Sequence, residues 1–103
     1  MKNNSIPINS NEDFKSMRSA GALAARILDQ LKYIVYPGIS TEKINDFCHN
    51  MIIKNGANPA PLGYRGFPKS ICTSVNHVVC HGIPSEKKIL QNYDIINVDI
   101  TVI

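Results

Sequence analysis

Apolar residues recur at helical spacing in the first third of the chain. Between Met17 and Val35 they follow one another mostly at intervals of three or four positions, which is the spacing of one face of an α-helix. The preceding segment Asn9–Asp13 offers capping side chains and acidic residues for a first turn. Pro37-Gly38 stops the pattern. The sequence therefore predicts a long amphipathic helix that ends before Pro37.

A second, shorter helical pattern follows. Ser40-Thr41-Glu42 supplies caps for its first turn, and Gly56 closes it. An apolar stripe at helical spacing is far more often part of a core than a cofactor-binding face, so we interpret both helices as packing elements. The stripe consists of Ile44, Phe47, Cys48, Met51 and Ile52.

After Gly56 the pattern changes to Gly/Pro punctuation and β-branched runs. Ala57–Tyr64 is predicted to be extended and to lead into a turn. Ile71–Val75 and His77–Ile83 are predicted to be short strands that form a hairpin around Asn76. Asp94–Val102 alternates between apolar and polar residues and is the strongest predicted strand. Two helices on a mostly antiparallel sheet give an α+β fold class.

Composition narrows the class of protein. The chain has 103 residues, enough for one domain or part of one, and its hydrophobic fraction of 44% can support a core. The net charge is +3, and the basic residues are scattered, without a basic run or interleaved aromatics. This distribution argues against a nucleic-acid partner.

The cysteines and the N-terminus indicate a compartment. Cys48, Cys72 and Cys80 are odd in number and unevenly spaced, which favours reduced thiols over a disulfide framework. The polar Met1–Ser5 leads into no apolar stretch, which argues against a secretory signal, and no segment is long and apolar enough to span a bilayer. We therefore expect a cytoplasmic protein without membrane contact.

Asp99 is the most informative polar residue. Aspartate is disfavoured within strands, yet here it interrupts a β-branched segment. A buried carboxylate must be paired, protonated or bound to a metal. In the alternative interpretation, the face that carries Asn97, Asp99 and Thr101 points at solvent, as is common in antiparallel sheets. The pattern alone leaves both open.

His81 lies between Cys80 and the Gly82-Ile83-Pro84 turn. Such a frame can hold an imidazole as a hydrogen-bond donor or a general acid/base, or the histidine is simply half-exposed at a strand end. Tyr64 and Phe67 occupy a Gly/Pro-pinned loop and either line an apolar pocket or cover the sheet edge. His49, on a helix flank, is predicted to be a surface residue.

Several segments together resemble one family. They are Met17–Gly21, Tyr36–Thr41, the Tyr64 loop, Pro68–Cys72, Val79–Pro84 and Asn97–Asp99. With these segments the chain resembles the type I methionine aminopeptidases over nearly its whole length, from Asp13 to Asp99. The resemblance implies the pseudosymmetric "pita-bread" fold, with residues 1–10 as a tail and 11–103 as the N-terminal part of a single catalytic domain, truncated at its C-terminus.

The resemblance also implies roles for individual residues. Asp99 would be the first metal-binding carboxylate, and His81 would hydrogen-bond the substrate and stabilise the transition state. Tyr64, Phe67 and Cys72 would contribute to a pocket for the methionine side chain. The implied reaction is the hydrolytic removal of methionine from nascent polypeptides, with paired divalent metals (Co, Mn, Fe or Zn) as cofactors. A monomer that works close to the ribosome is expected.

The family's remaining metal ligands, an aspartate, a histidine and two glutamates, lie beyond Ile103. A lone carboxylate binds metal weakly, because affinity grows with ligand number. The leading hypothesis is a partial sequence of an active enzyme, and the alternative is an inert remnant that acts as a binding module. A strand that ends without a cap would also leave an apolar, aggregation-prone sheet edge.

Overall fold

The structure is a computed structural model that describes residues 8–78 and 81–103. It contains helices α1 (Asn11–Leu31) and α2 (Thr41–Lys54) and a 3₁₀ turn at Tyr64–Gly66. Strands β1 (Cys72–Val75) and β2 (Ile96–Asp99) form a two-stranded antiparallel sheet. The α+β class predicted from the sequence is confirmed. Residues 1–7 of the predicted tail, together with Val79 and Cys80, lie outside the described residues.

Helix α1 begins where its caps predict. The Ser10 hydroxyl accepts a hydrogen bond from the Asp13 N–H at 3.1 Å, and the Asp13 carboxylate accepts one from the Ser10 N–H at 2.8 Å. This reciprocal capping box satisfies two N–H groups that the helix leaves without partners. The helix ends at Leu31, earlier than predicted.

The early end of α1 has a tertiary cause. Gly38 donates its N–H to the Leu90 carbonyl at 2.8 Å, and Leu90 donates to the Ile39 carbonyl at 2.8 Å. Both Ile39 and Leu90 are buried in the core. The chain therefore leaves the helix after Leu31 because it must turn back to place Ile39 beside Leu90.

Helix α2 is confirmed over its predicted length. The Ser40 hydroxyl accepts a hydrogen bond from the Lys43 N–H at 3.2 Å, and Gly56 closes the helix with φ of 77°. Its apolar stripe packs against α1 and the sheet to form the core. The buried core residues are Leu23, Ile27, Leu31, Ile39, Ile44, Cys48, Ile52, Ile71, Val75 and Leu90.

β1 pairs with β2, with Cys72 opposite Asp99 and Val75 opposite Ile96. The predicted hairpin around Asn76 includes Val79 and Cys80, which lie outside the described residues. The described residues of the predicted strand His77–Ile83 are not in a strand, although the Thr73 N–H donates to the Gly82 carbonyl at 2.9 Å. Ile96 and Val98 place their side chains against the core, and this burial stabilises the pairing with β2.

The strand observed within Asp94–Val102 is shorter than the strand that the sequence pattern predicts. β2 covers Ile96–Asp99, after which the chain changes partner. Thr101 accepts a hydrogen bond from the Ala60 N–H at 2.9 Å, and Ile103 exchanges bonds with Asn58 at 3.1 and 2.9 Å. The extended stretch that begins at Ala57 thus lies beside the end of this segment, and this pairing positions the loop that follows the stretch.

Among the described residues, no helix is long and apolar enough to cross a membrane.

A polar link joins the end of β1 to the turn before β2. Asn76 donates its side-chain N–H to Asp94 at 2.9 Å and accepts one from the Ile95 N–H at 2.9 Å. Asp94 also accepts from the Gln91 N–H at 2.8 Å. The hydrogen bond from Asn76, followed by that from Gln91 and the charge of Lys88, holds the pKa of Asp94 below its ordinary value of 3.8.

This link predicts a loss of stability in acid. Because the pKa of Asp94 is lower in the folded state, its stabilising effect is complete above pH 3.8 and is lost as the pH falls through the folded value. We expect Asp94→Asn to reduce the fall in the free energy of unfolding below that pH, measured by urea denaturation across a pH series. Asp13 is the control, because its pKa is also lowered by its bonds to Ser10. Asp13→Asn should remove a separate part of the loss of stability in acid. An unchanged pH profile in Asp94→Asn would contradict the assignment.

Candidate active site

A pocket of about 770 Å³ lies between the sheet, the 3₁₀ turn and the segment that follows His81. All five residues that the sequence singled out line this one pocket, although they are spread over 36 positions from first to last. They are Tyr64, Phe67, Cys72, His81 and Asp99.

The sheet supplies two of these residues from neighbouring strands. Cys72 begins β1 and Asp99 ends β2, and the antiparallel register sets them directly opposite each other. Directly opposed residues place their side chains on the same face of a sheet. Cys72 is buried, whereas Asp99 is exposed. The face on which Asp99 lies is a wall of the pocket.

The aromatic loop forms another wall. Gly63 donates its N–H to the Phe67 carbonyl at 2.8 Å, and Phe67 donates to the Tyr64 carbonyl at 2.9 Å, so the loop closes on itself. Tyr64 is exposed and Phe67 is half-buried. Both line the pocket rather than only covering a sheet edge.

Arg65 is a pocket residue that the sequence analysis did not select. It lies in the left-handed region with φ of 47°, between Gly63 and Gly66 at φ of 80° and 79°. Its guanidinium lies over the Tyr64 ring, 5.3 Å from the centroid, which is within the range of a cation–π contact. The sequence feature that could have identified Arg65 as a pocket residue is an arginine next to a glycine in a loop with aromatic residues.

His81 is held by the residue that follows it. The Thr73 N–H donates to the Gly82 carbonyl at 2.9 Å, and the Gly82 N–H donates to the Ser74 hydroxyl at 3.1 Å. These two bonds fasten Gly82 to β1. His81 itself has φ of 57°, a conformation that histidine adopts more readily than most residues. The exposed imidazole is thereby kept at the pocket.

Gly82 is required by close packing rather than by its φ angle. A Cβ atom at this position would lie 1.9 Å from the Thr73 carbonyl oxygen and 2.7 Å from its carbonyl carbon. Both are backbone atoms of β1 and cannot move aside as the end of a side chain can. Only glycine lets the His81 segment approach the strand this closely.

The other two histidines lie outside this pocket. His77 is exposed and lines a smaller cavity beside Thr41 and Lys88. His49 is half-buried, and its Nδ1 lies 2.6 Å from the Ser70 hydroxyl oxygen. The prediction that His49 is a surface residue is wrong, because the segment before β1 packs over this flank of α2.

The donor set decides whether a metal fits. Within residues 8–78 and 81–103, no group of three or more His, Cys, Asp or Glu side chains could hold an ion. Of the described residues, Asp99 is the only carboxylate that lines the pocket, and a single carboxylate gives too few ligands for a stable divalent-metal site. The described residues therefore do not form a metal site by themselves, and Asp99 can supply one ligand of a larger one.

Comparisons with known proteins show where the chain belongs. The profile of metallopeptidase family M24 matches residues 15–103. The chain is 57% identical over 98 residues to the methionine aminopeptidase of Rickettsia prowazekii and 48% identical over 99 residues to that of Escherichia coli K12. In each case the match covers 95% of this chain and 38% of the relative. The chain thus spans about two fifths of the length of these relatives.

Solved structures give the same result for the fold. The crystal structure of the Rickettsia prowazekii methionine aminopeptidase matches with a TM-score of 0.92 at 56% identity. The Thermotoga maritima methionine aminopeptidase also matches with a TM-score of 0.92, at 28% identity. Each match covers 96% of this chain and 40% of the solved chain. The predicted fold, the N-terminal part of a pita-bread domain, is confirmed. On the evidence of its pocket, fold and relatives, the chain belongs to metallopeptidase family M24.

Proposed function

We propose that this chain forms the N-terminal part of an aminopeptidase that removes methionine from the N-termini of nascent proteins. Residues 11–103 would belong to a single catalytic domain. The observation that carries the proposal is the convergence of five side chains, drawn from a loop, two strands and a turn, on one pocket. Their residue types suit a methionine side chain on one side and a scissile peptide bond on the other.

The apolar side of the pocket suits a thioether. Tyr64, Phe67 and Cys72 line it together with Ile83. Methionine is unbranched and polarisable, so it fills irregular apolar space and gains from contacts between its sulfur and aromatic rings. In the proposed complex these residues bind the first side chain of the substrate and hold its peptide bond near His81.

The polar side of the pocket has two distinct tasks. The His81 imidazole would hydrogen-bond the substrate next to the scissile bond, where a proton must be supplied or removed during hydrolysis. The Asp99 carboxylate, exposed on the pocket face of β2, would contribute one ligand to a metal site. The backbone at both positions is fixed, because Gly82 is bonded to β1 and Asp99 lies in the β1–β2 ladder.

Membership in a metallopeptidase family implies divalent metal ions. We propose two ions per complete site, drawn from Co, Mn, Fe or Zn, with Asp99 as one ligand and the others from outside the residues described. The described residues form no complete metal site. Nascent polypeptides close to the ribosome as substrates, a monomeric state and a cytoplasmic location complete the proposal.

Methionine release from the peptide Met-Ala-Ser tests the activity of the native full-length polypeptide. We expect release with a supplied divalent metal, none after chelation, and recovery when metal is added back. A peptide that begins with alanine is the matched control and should not be cleaved. The absence of turnover with every metal, in a folded protein, would refute the proposal.

The second candidate is an inert module that binds peptide N-termini. It requires the pocket alone, to which the described residues contribute one carboxylate. This candidate predicts that Met-Ala-Ser binds without being cleaved, which equilibrium dialysis followed by mass spectrometry of the recovered peptide would show. Release of free methionine would exclude it.

A further inference from the structure

A side chain of α2 satisfies the backbone just before β1. The Oδ1 atom of Asn45 accepts hydrogen bonds from the Ser70 N–H at 2.9 Å and from the Ile71 N–H at 3.2 Å. Since both partners are donors, the carbonyl oxygen of the amide must face them, which fixes the orientation of the Asn45 side chain. Asn45 is 6%, Ser70 2% and Ile71 0% exposed, so water has little access to replace these bonds.

Neighbouring residues on α2 contact the same segment. Glu42 forms an ion pair with Lys69 at 2.7 Å, and the His49 Nδ1 lies 2.6 Å from the Ser70 hydroxyl oxygen. Positions 42, 45 and 49 have the spacing of one helix face. We call these three residues and their partners Lys69–Ile71 the α2 clamp. The Glu42 pair is partly exposed and contributes less than the buried bonds, so Asn45 is the central member.

The segment that the α2 clamp holds lies between two walls of the pocket. Phe67 and Pro68 come immediately before it, Cys72 follows it directly, and all three line the pocket. The separation between the aromatic loop and the first residue of β1 therefore depends on three residues, two of which donate their backbone N–H to Asn45. A change in that backbone would alter the apolar side of the pocket, which Asn45 does not line.

We propose that Asn45 is a positioning residue that sets the selectivity of the pocket for methionine. This inference rests on the proposed function, because it assigns the apolar side of the pocket to the methionine side chain. Without the Asn45 acceptor, two buried N–H groups lose their partner, and each such group is costly to leave unsatisfied. The Lys69–Ile71 backbone then moves until its N–H groups find new hydrogen-bond partners. This movement displaces Phe67 and Cys72 from their positions in the pocket.

Two nearly isosteric substitutions of Asn45 distinguish the effect of losing its hydrogen-bond acceptor from the effect of changing its side-chain shape. Asn45→Leu keeps the branching of the side chain but removes the acceptor, whereas Asn45→Asp keeps an oxygen at the same place. In Asn45→Leu we expect amide hydrogen exchange at Ser70 and Ile71 to accelerate about tenfold or more. We also expect the preference for L-methioninamide over L-leucinamide, measured by titration of the native full-length chain, to disappear. Asn45→Asp should restore both properties.

Cys48→Ala is the control for a general loss of stability, because Cys48 is fully buried on the same helix but outside the α2 clamp. It should lower the unfolding midpoint without changing the ligand preference or the exchange of Ser70 and Ile71 relative to other core amides. If Asn45→Leu does not fold, Asn45→Ser, whose hydroxyl is too short to reach both N–H groups, takes its place with the same expected result.

The two proposals fail in different ways. If the unsubstituted protein shows no preference for methioninamide, the proposed function of the pocket is refuted, and the exchange rates still decide whether Asn45 positions the segment. If the unsubstituted protein shows the preference and Asn45→Leu retains it with unchanged exchange, the positioning role is overturned. An equal loss of preference in Cys48→Ala would also overturn it.

Discussion

Replacing Gly82 with alanine is expected to destabilise the protein by about 3 kcal/mol, a typical cost of forcing an extra carbon into close packing. The new Cβ atom would lie 1.9 Å from the Thr73 carbonyl oxygen. To relieve this contact, the segment must move away from β1, which breaks the bonds that Gly82 makes to Thr73 and Ser74. Urea denaturation measures the loss of stability, and the NMR shifts of Thr73 and Ser74 report the displacement.

Gly21→Ala is the matched control for this substitution. Gly21 lies within α1, and a Cβ atom there would meet nothing within 4 Å. Because glycine is a poor helix former, we expect Gly21→Ala to stabilise the protein by about 0.5–1 kcal/mol. The same chemical change thus has opposite signs at the two positions. A Gly82→Ala protein as stable as the parent would contradict the close approach of the His81 segment to β1.

Removal of the His81 imidazole is expected to reduce methionine release by about 100-fold or more, the usual contribution of a positioned proton-transfer group. His81→Asn is the appropriate substitution, because the backbone there has φ of 57° and asparagine tolerates this region well. Turnover of Met-Ala-Ser at saturating metal measures the effect in the native full-length polypeptide. The fold should remain intact, because the anchoring bonds belong to Gly82.

His77→Asn is the control for a general effect of losing an imidazole. His77 is exposed and lies outside the pocket, so turnover should not change. The thermal unfolding curves of both variants should overlay that of the parent protein. If His81→Asn retains full turnover, the imidazole has no part in the reaction, and the role proposed for His81 must be abandoned.

The helices illustrate what local sequence specifies. The Ser10 and Ser40 caps form as their residue types predict, because a cap depends on a hydroxyl and an N–H only three residues apart. The end of α1 was predicted too late, since the helical pattern continues to Val35. What stops the helix is the pairing of Ile39 with Leu90, and a residue more than fifty positions away is invisible to a local pattern.

The sheet illustrates the opposite case. Ile71–Val75 was correctly predicted as a strand region, but its pairing with β2 was not predicted. The segment predicted to pair with it, His77–Ile83, includes Val79 and Cys80, which lie outside the described residues, and its Gly82 bonds to Thr73 of β1. Pairing with β2 places Ile96 and Val98 against the core, and this apolar burial offsets the entropy cost of closing the longer loop. Periodicity shows that a strand has an apolar face, whereas only the folded core decides which neighbour it takes.

By itself, the sequence determined the helix starts and the fold class, because caps and periodicity are local properties, and its resemblance to one family supplied the five residues proposed for the site. Tertiary structure decided that these five residues meet in one pocket, that Asp99 is exposed there, and that Arg65 joins them. It also revealed that Asn45 accepts from the Ser70 backbone and that His49 lies at the Ser70 hydroxyl, in the segment between two walls of the pocket. These contacts join residues more than twenty positions apart, and their geometry follows from packing of the whole core rather than from any single segment.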